Sequence, residues 1–124
     1  MKYAIMVLAL VGVLALPRPA AAELNGNEYL ELCKLSKVHC GLLMLGLRTG
    51  FLFATHRMIK AKILPADHDD LGRNPILGIC FPKKLTNDQL ADVFVKFLND
   101  RPQHRHYPLS PLIGVAMLEY FPCR

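Results

Sequence analysis

The sequence predicts an all-α fold, a small bundle of four to five helices with two disulfides. Three observations carry that reading: apolar residues recur at helical spacing between prolines, capping residues stand ahead of those runs, and four cysteines fall at the expected helix ends. The chain has 124 residues, of which 52% are hydrophobic and 20% charged, and a mean hydropathy above zero. A chain this apolar buries enough surface to offset its conformational entropy, so disorder is excluded, and its length sets one domain.

Residues 1–22 read as a secretory signal peptide and 23–124 as a single helical domain. Lys2 gives the positive start, residues 4–16 form an unbroken apolar run, and Ala20, Ala21 and Ala22 offer a small-residue cleavage site before Glu23. A membrane anchor is the rival reading. Thirteen helical residues rise only about 20 Å, well short of a bilayer core of about 30 Å. The remaining chain holds 13 basic and 10 acidic residues. Its net +3 gives little reason to expect a nucleic-acid partner, least of all for an exported protein.

The first helix is expected from Asn25, which with Glu28 forms a capping arrangement, to about Leu35. A second should span 38–62. Its middle, 42–54, is almost wholly apolar but too short to cross a bilayer and interrupted by Arg48, which predicts a central helix buried on most faces. Gly41, Gly46 and Gly50 would then let neighbouring helices approach closely; as a dimerisation face they are the weaker interpretation. Residues 63–81, rich in Pro, Gly, Asp and Asn, read as the long loop of the molecule. Loops of that length in small domains are commonly functional.

A third helix starts at the Thr86 to Gln89 capping box, and Leu90, Val93, Phe94, Phe97 and Leu98 make one apolar stripe before Pro102. The fourth is expected with Ser110 as cap and Pro111 at its first position, ending before Pro122. Glu119 is its one charged residue, which predicts a helix enclosed on nearly all sides.

Export makes two disulfides the default for Cys33, Cys40, Cys80 and Cys123, since their spacings match no zinc module. Cys33 and Cys40 flank the corner between the first two helices. Cys80 precedes the third helix and Cys123 follows the fourth, so an antiparallel pair of helices brings them together. Catalytic motifs of the nucleophile-elbow, zinc-protease and phosphate-loop kinds are absent, and no cofactor is implied. His104 and His106 form a weak ligand pair, read as a solvated corner. Asp67, His68, Asp69 and Asp70 lack the register of a calcium loop.

Four segments in order then resemble a known family. They are Gly78-Ile79-Cys80-Phe81-Pro82, the helix around Gln89-Leu90, the turn Arg101-Pro102-Gln103-His104-Arg105-His106, and the closing Phe121-Pro122-Cys123. Together with Leu30-Glu31-Leu32-Cys33 and Cys40-Gly41 upstream, they are similar to the Rap/Tai family of type VI secretion immunity proteins over about residues 25–123. The resemblance implies a non-enzymatic, all-helical periplasmic protein that binds and occludes a peptidoglycan-degrading amidase effector, with a homodimer as a possible assembly. The segment 65–75 departs from the family pattern. It is long and polar, which makes Asp67, His68, Asp69, Asp70 and Arg73 the candidate partner-binding residues, whereas the 101–106 turn is expected to serve the fold. A small periplasmic acid-stress chaperone is the alternative class, distinguished by acid-triggered exposure of apolar surface.

Overall fold

Asn25 turns the chain into its first helix. In the computed structural model, which describes residues 23–65 and 71–124, the Asn25 side chain accepts the Glu28 N–H at 3.0 Å and Glu28 returns the bond to the Asn25 N–H at 2.8 Å. Helix α1, Gly26–Leu35, follows and buries Tyr29 and Leu30. Gly26 is required where it stands: a Cβ there would lie 2.9 Å from Leu98 Cδ2 and 3.1 Å from the Arg105 backbone. The expected signal peptide, 1–22, lies outside the described residues.

Only Ser36 separates α1 from helix α2, Lys37–Lys60. Its N–H closes α1 on the Leu32 carbonyl and its hydroxyl accepts the His39 N–H, so one residue ends one helix and starts the next. That tight corner sets the Cys33 and Cys40 Cα atoms 4.9 Å apart, bonded as expected. Residues 63–81 are not wholly irregular. They contain an antiparallel hairpin of strands β1, Arg73–Asn74, and β2, Ile79–Cys80, in the register Arg73 to Cys80 and Asn74 to Ile79. A two-residue strand has no period to read, which is why the sequence does not announce it.

Helix α3, Asn87–Asp100, begins at the expected Thr86 and Gln89 capping box and buries Leu90, Phe94, Phe97 and Leu98. A single 3-10 turn, Pro102–His104, leads to helix α4, Leu109–Tyr120. The start of α4 corrects the expectation of a Ser110 cap. Pro108 occupies the cap position with no side-chain bond, and Glu23, from the other end of the described chain, accepts the Ser110 N–H at 3.0 Å and its hydroxyl. Those two bonds hold the Glu23 carboxyl below its ordinary range.

The core lies where α1, α2, α3 and α4 converge. Tyr29 meets Phe94 edge-on at 5.0 Å, and Phe81 bridges Phe51 at 4.9 Å and Phe121 at 5.2 Å. Two enclosure expectations fail here. Helix α2 is covered on one side, through Cys40, Met44, Thr55 and Ile59, while Leu42, Leu45 and Phe53 are exposed and Gly46 and Gly50 face open space. On α4, Val115 and Leu118 are likewise exposed. Both helices are apolar around their whole circumference, so the pattern carries no information about which face the core takes.

Candidate partner-binding surface

The hairpin of β1 and β2 is anchored at its base and open at its tip. Asn74 is fully buried beneath it. Its amide nitrogen donates to Thr55 Oγ1 at 3.2 Å and lies 3.3 Å from Met58 Sδ, while its carbonyl oxygen accepts the Leu77 N–H at 3.0 Å. Thr55 in turn donates to the Phe51 carbonyl at 3.0 Å, so the last turns of α2 hold the floor of the hairpin. A buried carboxamide satisfied on both ends fixes backbone position, because any displacement strands a polar group away from water.

The second anchor comes from the opposite side. Cys80 is bonded to Cys123, with the Cα atoms 4.9 Å apart, as the helix-end argument expects. Around that bond the Cys80 N–H donates to the Phe121 carbonyl at 2.8 Å and the Cys123 N–H to the Gly78 carbonyl at 3.1 Å. Phe81 N–H closes the base on the Gly72 carbonyl at 2.9 Å. Gly78, at φ +73°, closes the turn in a conformation that side-chain-bearing residues seldom adopt.

What this framework displays is Arg73, Pro75, Ile76 and Leu77, all exposed. Of the five residues proposed from sequence, Arg73 is placed here, on β1 opposite Cys80. Asp67, His68, Asp69 and Asp70 lie outside the described residues, in the segment that enters the hairpin. Sequence reasoning missed Asn74 and Thr55 as anchors and the Ile76 and Leu77 tip. The Asn74-Pro75 dipeptide followed by Gly78 was the available signal, since that chemistry initiates and closes turns. Beside the hairpin, Leu47 and Phe51 of α2, Ile79 and Phe81, and Ile113 and Met117 of α4 line an open apolar cavity of about 250 Å³.

The 101–106 turn does what was expected of it. Arg101 makes a two-pronged pair with Glu119 at 2.7 Å and stacks 4.5 Å over the Phe97 ring, and the hydrogen bonds it donates to the Glu119 carboxylate raise its pKa. Arg105 donates to the Leu98 carbonyl at 2.7 Å and to Asn99 Oδ1 at 3.1 Å, and its own carbonyl accepts the Asn27 N–H. These residues tie α1 and α4 to the end of α3. His106 and His104 lie against Tyr107, at 4.2 and 6.0 Å between ring centres, and among the described residues no three His, Cys, Asp or Glu side chains gather to hold a metal.

A helical scaffold, closed by two disulfides, thus supports a doubly anchored hairpin that offers side chains outward, the build of a protein that acts by binding another protein. The family model of Rap1a immunity proteins matches residues 25–123, and the chain belongs to that family. The match takes in the four described helices, the hairpin and both disulfides. Membership makes it an immunity protein whose partner is a secreted effector protein. No curated protein matches the chain, and no solved structure does.

Proposed function

We propose that this immunity protein is periplasmic and sterically inhibits a peptidoglycan amidase delivered by a type VI secretion system, using the hairpin and the segment that enters it as the plug. The doubly anchored tip is the observation that carries the reading. An element held in one conformation before binding loses little entropy on entering a cleft, so more of its contact energy appears as affinity. The tip offers Ile76 and Leu77 as apolar contacts, Arg73 on β1 adds a charge, and the residues preceding the hairpin in sequence include Asp67, His68, Asp69 and Asp70. An amidase that cuts peptide cross-links with a Cys and His pair must keep an open groove for an extended peptide. Filling that groove requires no chemistry from the inhibitor. The apolar run and small-residue site of residues 1–22 would carry the chain to the compartment where the wall is attacked.

The partner to test by titration calorimetry is a secreted amidase, to be sought first in the reading frames beside this gene. Replacing Asp67, His68, Asp69, Asp70 and Arg73 with Ala should weaken binding by several kcal/mol in total while leaving thermal stability nearly unchanged. An unchanged dissociation constant would remove this element from the mechanism.

A further inference from the structure

Helix α2 turns outward an apolar face that no other described part of the chain covers. Val38, Leu42, Leu45, Thr49 and Phe53 succeed one another at spacings of four, three, four and four residues, and all five are exposed. At 3.6 residues per turn these positions fall within roughly a quarter of the helix circumference and extend for about 22 Å. Val38 is 70% exposed and Phe53 66%, and Leu35, just ahead of the helix, is 84% exposed. Single exposed apolar residues are ordinary on a protein surface; an aligned row of them marks something that covers it.

The charge carried by α2 and its flanking residues is of one sign, while Asp88 and Asp92 of α3 line a cleft with Lys37. Residues 32–66 contain no Asp or Glu, and they contain Lys34, Lys37, Arg48, Arg57, Lys60 and Lys62. Arg48 is turned inward to the Leu85 carbonyl and Lys34 pairs with Glu31. Lys37 at one end of α2, with Arg57, Lys60 and Lys62 at the other, stay exposed. We propose that this face docks on an anionic phospholipid bilayer, with α2 lying in the plane of the interface, its apolar row at the acyl boundary and its basic ends among the headgroups.

Two rival arrangements fit less well. Spanning the bilayer would require α2 to leave the fold, yet its other side carries core residues Met44 and Ile59, the Cys40 disulfide and the Thr55 bond to Asn74. In a second copy packed along the row, parallel or antiparallel, basic ends would meet basic ends with no carboxylate on α2 to answer them. A steep crossing at Gly46 would relieve that repulsion but cover only the middle of the row, leaving Val38 and Phe53 in water. A lipid surface covers the whole row and supplies the missing negative charge.

Co-sedimentation with vesicles tests this, using protein recovered from the periplasm with its N-terminus fixed by mass spectrometry. Binding should be seen with mixed phosphatidylglycerol and phosphatidylcholine vesicles, fall with added salt, and be far weaker with phosphatidylcholine alone. The double variant Leu42→Ser with Phe53→Ser should bind about tenfold or more weakly with unchanged helical circular dichroism, because both side chains are exposed. Lys60→Glu with Lys37→Glu should weaken binding to the anionic vesicles alone. Absence of vesicle binding overturns the proposal. So does a concentration-independent dimer in sedimentation velocity that the Leu42 and Phe53 variant dissociates, since that would show the face closed by a second copy.

Discussion

Replacing Asn74 with Ala tests whether the hairpin is a built platform or a loop that merely lies on α2. The variant loses the bond to Thr55 Oγ1 and the acceptor for the Leu77 N–H, each worth about 1 kcal/mol net. It also leaves a small void where the carboxamide filled a fully buried site, which adds about 1 kcal/mol. Thr55 keeps its own donation to the Phe51 carbonyl, so the hydroxyl is not orphaned and the penalty stays moderate. The sum is about 3 kcal/mol, or roughly 12 to 24 °C in Tm for a domain of this size. Urea unfolding gives the stability and calorimetry against the effector, well below the new Tm, gives the affinity. Affinity should fall even where essentially all the protein is folded, because the tip has lost one of its two anchors. A stability change under about 0.5 kcal/mol would refute the anchoring argument, since that is the size expected of an ordinary surface substitution.

Opening the Cys80 to Cys123 bond by double Ser substitution should cost about 4 kcal/mol, against about 2.5 kcal/mol for Cys33 and Cys40, because it closes the longer loop; denaturant midpoints of the two double variants check the ranking. Gly26→Ala should destabilise by about 1 to 3 kcal/mol through overpacking on Leu98 and Arg105, whereas Gly46→Ala and Gly50→Ala should stabilise by up to about 1 kcal/mol each, a contrast in sign that thermal melts will show. Burial, and secondarily Asp92, raises the Tyr29 pKa, so the folded state keeps the phenol proton that the unfolded chain releases. Stability from this source is therefore complete below about pH 10 and falls as pH rises beyond it, by about 1.4 kcal/mol per unit, and Tyr29→Phe should flatten that alkaline limb in urea titrations.

What was legible in the sequence is what short-range chemistry decides. Asn25 with Glu28 and Thr86 with Gln89 are caps complete within four residues, and both helices start where those pairs stand. The disulfides followed from helix ends because Ser36 leaves no freedom at one corner and the α3 to α4 connection little at the other. Two of the misreadings share one cause, a partner far away in sequence. Ser110 was free to look like a cap until Glu23 came to it from 87 residues upstream. Asn74 reads as a loop residue unless Thr55 and Met58 are known to lie beneath it. For α2 the difficulty was different: with apolar residues on every face, its sequence cannot say that the other helices cover only one of them.

The arrangement of anchors separates the part of the chain that specifies the fold from the part proposed to meet the partner. Asn74 on one strand and Cys80 on the other carry the structural cost of any error, since one is fully buried and the other closes a covalent loop. Ile76 and Leu77 sit between those fixed points, Arg73 stands just ahead of them, and all three are exposed, so substitutions there change the outward surface at about 0.5 kcal/mol or less each in stability. A surface built this way can be altered residue by residue without loosening the core. It follows that a variant selected for a new effector should carry its changes at the tip and in 66–70, and that the same selection should leave Asn74, Thr55, Gly78 and the Cys80 to Cys123 bond in place. Changes concentrated instead on Thr55 or Asn74 would mean that the platform, and not its tip, reads the partner.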